Sequence, residues 1–455
     1  MKNTFQALNP FTNQVIGTYT VTSNTEMKRL NNIAKSGHNS WQDSPLEVRI
    51  DKLHRIIDLL KSSRSALIDA QIAEVAMPRR EAEESFDNLI HRVSTFFNID
   101  ESYFTLKQEY PNNITNVIVR VPYGHVLIVT PWNHPLSIPL WQIIPALLAG
   151  NTVIWKPSEK SLSVNDLIYS LFKKLELPPG TFTMIVGGPS QVQFALRNMS
   201  VNLLCFTGSL TVGQLLLAQC RKKMLPCIME LGGKDALVVC KDADLDSAVD
   251  AAIVGSLRHS GQLCSSIERI FVHESVYDGF VRSLLARTNS IKKDDPNKLT
   301  TMVCCLKDET AEQRIANQVK DAVNKGASVL QGSAIRPPEF PIVISKVDSE
   351  CLLFQEETFG PVIALTSFSR DEELIEKLND CKYGLCCTIW TKSELKFKEL
   401  QASIEVGTIT LNRLSGTLSR SPWVGRKSSG IGFVLGLNPI EPYTVLKNVR
   451  RKAND

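Results

Sequence analysis

The 35 residues from Val121 to Trp155 contain no Lys, Arg, Asp or Glu. A charge-free run of that length has to be buried, either in a protein core or in a bilayer. A spanning helix needs about 20 continuous apolar residues. Here Pro122, Pro131, Pro135, Pro139 and Pro145 cut the run, and Asn133, His134 and Gln142 interrupt it. The expected solution is therefore strand, loop, helix and strand inside a protein core, with no membrane segment. A chain of 455 residues suggests two to three domains and can bury such a core without a disulfide or metal staple.

The texture on either side fits that solution. Residues 117–129 offer two β-rich runs, the first alternating and the second apolar, followed by a helical stretch closing at Gly150. A strand is expected at 152–156, a helix at 164–175, a strand at 183–186, a helix at 192–197 and a strand at 203–206. Such alternation implies a parallel sheet with crossover helices, the doubly wound arrangement that binds nucleotides at strand carboxyl ends. The pattern resumes with a strand at 236–239, a helix at 244–259, a strand at 269–273, a helix at 309–325 and a strand at 328–330. A second α/β domain is expected from about Gly233. The first hundred residues read mainly as helices, with Leu53, Ile56, Ile57 and Leu60 at helical spacing over 49–68.

Charge excludes one class of partner. The 51 basic residues exceed the 47 acidic ones by only +4, and the single visible basic cluster, Arg450 to Lys452, reads as a solvated tail, so no nucleic acid is expected. Eleven cysteines, none before Cys205, include no CxxC, and no His spacing suits zinc; no metal is expected. With no export signal in MKNTFQALNPFTNQ, the expectation is a soluble protein of a reducing, cytoplasmic compartment.

Three residue types carry possible chemistry. Cys264 in SGQLCSSIER sits between a helix end and a strand, where a thiol can be held in a cleft; any one of eleven cysteines is more commonly core filler. Glu230 in MELGGKDA precedes a Gly-Gly hinge and could serve a water as general base, although a surface carboxylate beside a turn is the commoner case. Asn133 in TPWNHP could donate to an oxyanion, or simply form a turn. Gly208 and Gly213 form a GxxxxG after a strand, but Gln214 stands where a P-loop needs Lys, so phosphate contact would be through backbone amides alone.

Taken in order, TPWNHP, WKPSE, FTGSLTVG, MELGGKDA, GQLC, EETFGPV and SPWVGRKSSGIG resemble the aldehyde dehydrogenase superfamily, from about residue 9 to the end; in length the chain looks like the succinic semialdehyde branch. The resemblance implies a Rossmann-type cofactor domain (1–108 and 123–232), a second α/β catalytic domain (233–435) and a small β oligomerisation element (109–122 and 436–455), assembling as a homodimer or homotetramer. It implies Cys264 as nucleophile, Glu230 as general base and Asn133 as oxyanion donor. It assigns Lys156 and Glu159 to the adenosine ribose, Ser209 and its loop to the pyrophosphate, and Glu357 and Phe359 to the nicotinamide ribose, with Trp132, Ser158, Gly188, Gly208 and Gly213 also along the cofactor. Glu159 would repel a 2′-phosphate, so NAD is favoured with NADP possible.

Several positions depart from the family pattern. His134 replaces the usual aromatic after the Asn, Gln142 stands where many members have Lys, and PWVG replaces PFGG, bringing Trp423 to the substrate side. Together with Trp141, these suggest an apolar or aromatic aldehyde. Two alternatives remain open at this level: a CoA-acylating enzyme, and a catalytically degenerate NAD-binding protein.

Overall fold

The computed structural model of the chain describes residues 3–110, 114–307, 309–335 and 337–452. Its centre is a six-stranded sheet in which Phe182–Met184, Thr152–Lys156, His125–Val129, Leu203–Thr207 and Cys227–Glu230 lie side by side, all parallel. The chain starts in the middle at His125–Val129, winds outward to Phe182–Met184, then returns to lay Leu203–Thr207 on the other side. Between those two strands the winding reverses, and the crevice at their carboxyl ends is where such sheets bind ligands. The sixth strand, Gly430–Ile431, comes from far along the chain and pairs antiparallel with Cys227–Glu230.

The charge-free run supplies the heart of this layer. All of His125–Val129, all but one residue of the helix Ser137–Leu148, and all of Thr152–Lys156 are buried. Burial of each large apolar side chain contributes roughly 1.5–3 kcal/mol. The polar groups that enter with them are paired: Trp155 Nε1 donates to Thr130 Oγ1 at 3.0 Å, Trp41 Nε1 to the Leu147 carbonyl at 3.0 Å and Arg49 Nε to the Leu148 carbonyl at 3.0 Å. The last two close the helix's carboxyl end, and Gly150, at φ +94°, turns the chain out of it.

A seven-stranded sheet follows, in the order Ser328–Ser333, Glu339–Ser345, Val362–Phe368, Ile267–His273, Asp235–Val239, Cys386–Trp390, Thr408–Leu411. It is parallel except at its first pair. A third, antiparallel sheet joins Thr105–Tyr110, Ile114–Pro122 and Thr444–Lys452; residues 111–113 of the expected 109–122 hairpin lie outside the described residues.

Two expectations need correction. Residues 49–68 do not form one helix: Leu46–His54, Ile56–Ser62 and Arg64–Val75 are separate, the second ending where Ser63 leaves helical geometry at φ −102°, ψ 12°. The apolar spacing survives because Leu53, Ile56, Ile57 and Leu60 all still face the core. The first hundred residues also open with a hairpin, Thr4–Leu8 against Val15–Thr20. Its loop is held by Asn9, whose Oδ1 accepts from the Phe11 and Thr12 amides.

Candidate active site

Asn133 follows the strand His125–Val129, Ser209 follows Leu203–Thr207, and Glu230 ends Cys227–Glu230, so three neighbouring strands deliver them to one end of the sheet. Cys264 arrives from the other sheet. It sits on the loop between the helix Leu245–Leu257, extended by a short 3-10 turn at Arg258–Gly261, and the strand Ile267–His273.

The Gly232-Gly233 pair lets the two parts meet. A Cβ on Gly233 would lie 2.6 Å from the Cys264 carbonyl oxygen, and one on Gly232 would lie 2.3 Å from Glu357 Oε1. Both are closer than real Cβ atoms approach, so side chains at either position would push the Cys264 loop and Glu357 away from the Glu230 strand.

Two cavities, each of about 390 Å³, converge on this point. Cys264 and Glu230 line both. The first also holds Trp132, Asn133, Gly208, Ser209, Glu357 and Phe359, and lies at the crevice where the sheet's winding reverses. The second holds His134, Trp141, Gln142 and Trp423.

Within the junction the electrostatics are one-sided. Glu230 is 3% exposed, and neither carboxylate oxygen has a hydrogen-bond partner among the described residues. Burial therefore pushes its carboxyl well above the ordinary range. The Cys264 thiol is pushed up by burial and then by the carboxyls of Asp235, Glu357 and Glu230. Asn133 Nδ2 donates one hydrogen to the Gln262 carbonyl at 3.1 Å, which fixes the amide and leaves its second hydrogen to give. Gln142 Nε2 donates one hydrogen to Thr207 Oγ1 at 2.7 Å.

The walls fit a dinucleotide. Ser209 caps the twelve-residue helix Leu210–Arg221, its Oγ accepting from the Val212 amide at 3.5 Å, and Leu210 and Thr211 line the first cavity. The positive end of a helix is suited to a pyrophosphate. Gly208 lines the cavity, whereas Gly213 serves packing: a Cβ there would meet Leu231 Cδ2 at 2.5 Å. Lys156, Ser158, Glu159 and Gly188 stand outside this cavity, in the segments that follow or end the neighbouring strands Thr152–Lys156 and Phe182–Met184. Lys156 Nζ bonds Glu159 Oε2 at 2.9 Å. Burial alone would raise the Glu159 carboxyl, but Lys156 holds it below the ordinary range.

Sequence reasoning missed the support beneath Glu357 and Phe359. Glu268 accepts from the Thr358 amide at 2.7 Å and the Phe359 amide at 2.8 Å, while buried Lys234 donates to Glu268 at 2.7 Å and to Thr358 Oγ1 at 2.8 Å. Lys234 directly follows the Gly-Gly pair in MELGGKDA, the only sequence signal it gave. Arg92 and Arg258, which also line the second cavity, gave none.

The aldehyde dehydrogenase family profile matches residues 1–449. The chain belongs to that family. It is an oxidoreductase acting on aldehydes with NAD or NADP as acceptor. The betaine aldehyde dehydrogenase of Bacillus subtilis (strain 168) is 34% identical over 346 residues, covering 74% of this chain and 70% of the relative. The D-glyceraldehyde dehydrogenase (NADP(+)) of Picrophilus torridus is 29% identical, covering 98% and 92%. The crystal structure of betaine aldehyde dehydrogenase from Staphylococcus aureus in complex with NAD+ superposes with a TM-score of 0.94 at 29% identity, over 100% of this chain and 92% of that one.

Proposed function

We propose that this dehydrogenase oxidises its aldehyde to a free carboxylic acid through a covalent intermediate on Cys264, with hydrolysis assisted by Glu230. The observation that carries the reading is the sharing of Cys264 and Glu230 by two cavities, one for cofactor and one for substrate. Entering from the second cavity, the aldehyde carbon meets the Cys264 sulfur, and the free Asn133 hydrogen is available to the oxygen as it gains charge. The Cys264 proton must leave as the carbon–sulfur bond forms, because only the thiolate is strongly nucleophilic. Glu357, Phe359 and the Ser209 helix end would hold the dinucleotide in the first cavity, where it would supply the hydride acceptor needed to oxidise the thiohemiacetal on Cys264 to a thioester. Glu230, once ionised, takes a proton from water as its oxygen attacks the thioester carbon; the Cys264 thiolate leaves and the acid departs.

Retention of Glu230 favours water over CoA as the acyl acceptor. The Lys156-bound, ionised Glu159 favours NAD over NADP, since a 2′-phosphate beside it would be repelled. We read the six-stranded parallel sheet as the cofactor domain, the seven-stranded sheet as the catalytic domain, and the three-stranded sheet as the oligomerisation element. On that third sheet Leu106, Val445 and Leu446 are exposed, which suits pairing in a homodimer or homotetramer. All eleven cysteines are free thiols, in keeping with a reducing, cytoplasmic setting.

The test is NADH formation on a panel of aldehydes without CoA, with Cys264→Ala alongside. Turnover that vanishes in the variant supports the covalent route. Turnover that appears only with CoA, or persists in the variant, overturns it.

A further inference from the structure

The strand that ends at Glu230 begins at Cys227, at the amino end of the sheet. At about 3.3 Å per residue the two are about 10 Å apart, so Cys227 lies away from the catalytic crevice. There it meets a second thiol. Cys220 stands in the last turn of the helix Leu210–Arg221, and both cysteines join the same apolar cluster. The turn between them is tight: the Lys223 and Leu225 amides both donate to the Cys220 carbonyl at 3.0 Å. Met224 is held in the left-handed region, at φ +53°, to make it.

The two thiols are unlike. Cys220 is buried, whereas Cys227 is partly exposed. Cys220 acts as hydrogen-bond donor to Cys227 and holds that thiol down at about 7, against the burial that would raise it. The same bond first, and burial next, push the Cys220 thiol up. A separate cavity of about 110 Å³ opens beside Cys220, with Arg197, Lys222 and Lys223 on its walls. It has room for a small peroxide. A thiolate that solvent reaches, beside a thiol able to displace what forms on it, is the arrangement that peroxides oxidise selectively. Cys264 contrasts with it: burial and three carboxyls push its thiol up, so in the empty enzyme its thiolate is the scarcer of the two.

We propose that Cys220 and Cys227 form an oxidation site, apart from the catalytic centre, that reacts with a hydroperoxide and closes reversibly into a disulfide. The Cys227 thiolate attacks one peroxide oxygen. A sulfur–oxygen bond forms, the oxygen–oxygen bond breaks, and the leaving oxygen takes a proton and departs as water or an alcohol. Cys227 is then a sulfenic acid, and the negative sulfur that kept Cys220 protonated is gone. Cys220 gives up its proton and attacks the Cys227 sulfur. The sulfur–sulfur bond forms, the sulfur–oxygen bond breaks, and the hydroxide leaves as water with that proton. Two thiols are oxidised and one peroxide is reduced. A small thiol reverses the reaction by exchange, ending as its own disulfide. The closed bridge would join the end of the helix that Ser209 starts to the start of the strand that Glu230 ends.

The experiment treats the full chain, free of NAD, with rising doses of hydrogen peroxide, then blocks remaining thiols with iodoacetamide and digests with trypsin without reductant. Trypsin cuts after Arg221, Lys222 and Lys223, so the two cysteines fall on different peptides and only a disulfide keeps them joined. The expected product is that joined pair, about 2 Da lighter than the two peptides as free thiols, and parted by dithiothreitol. Fragmentation separates Cys220 from Cys205, which shares its peptide. It should form at a dose that leaves Cys264 unoxidised and NADH turnover intact. In Cys220→Ser, dimedone should trap a sulfenic acid on Cys227; in Cys227→Ser, Cys220 should stay a free thiol. Absence of the joined pair at every dose up to the one that oxidises Cys264 overturns the inference. So does dimedone labelling of Cys220 in Cys227→Ser. Peptide mapping of the wild type decides the matter by itself if a serine variant fails to fold.

Discussion

Replacing Lys234 by Met tests whether the cofactor loop is held from below by a buried ion pair. Lys234 is 1% exposed and Glu268 4%, with Nζ and Oε2 2.7 Å apart. The substitution keeps the aliphatic stem but removes the ammonium partner of buried Glu268, whose remaining bonds among the described residues are to the Thr358 and Phe359 amides. Breaking a buried pair from one side costs about 3–5 kcal/mol. For a unit of roughly 200 residues each kcal/mol lowers Tm by about 2–4 °C, so a fall of about 6–20 °C is expected. Because those amides flank the backbone that carries Glu357 and Phe359, NAD affinity should fall as well. Scanning calorimetry with and without NAD, together with NAD titration by tryptophan fluorescence, reads both effects. Adding Glu268→Gln to Lys234→Met removes the stranded charge and should recover at least half of the lost stability. A Tm within 2 °C of wild type at unchanged NAD affinity (well below the range derived from about 3–5 kcal/mol) would show that the pair neither stabilises the loop nor positions it.

Three further outcomes follow from the junction. In Gly233→Ala the new methyl would press on the Cys264 carbonyl, so a stability loss of about 1–3 kcal/mol and a larger proportional loss of kcat are expected by denaturant titration and NADH assay; wild-type kcat would refute the close approach. Burial pushes the Glu230 carboxyl above its ordinary range, and only its ionised form can act as a base. The acid limb of kcat should therefore lie above the ordinary carboxylate range of about 4.3. In Glu230→Gln a single burst of NADH should appear without steady turnover, and full steady turnover there would remove Glu230 from hydrolysis.

Much of the layered fold was legible because burial writes itself into composition. The charge-free run, the strand at 152–156 and the helix ending at Gly150 all follow from local pattern. The breaks at Arg55 and Ser63 did not, since three short helices and one long one bury the same apolar stripe. At the site, Cys264, Glu230 and Asn133 could be singled out because motifs keep chemistry close in sequence. Arg92 could not: it lies 172 positions before Cys264 on an ordinary amphipathic helix, and only the packing of that helix against Trp141 gives it meaning. Glu74 is a similar case. Its carboxylate accepts from the Ser163 and Val164 amides at 3.0 Å each, starting a helix that shows no cap of its own.

The strand Gly430–Ile431 imposes an order on how the chain can be finished. It pairs with Cys227–Glu230, and the Leu231 amide donates to the Ser429 carbonyl at 2.8 Å, so the edge of the first sheet is sealed by residues made some two hundred positions later. At about 5–20 residues per second, a ribosome leaves that edge open for roughly 10–40 s. During this interval the nascent chain presents an unpaired, largely apolar strand, the kind of template that recruits other chains. A stop codon anywhere between 231 and 429 would make that interval permanent. Such truncated products should therefore be cleared or aggregated rather than persist as free cofactor-binding fragments, even though every other strand of the first sheet is already present.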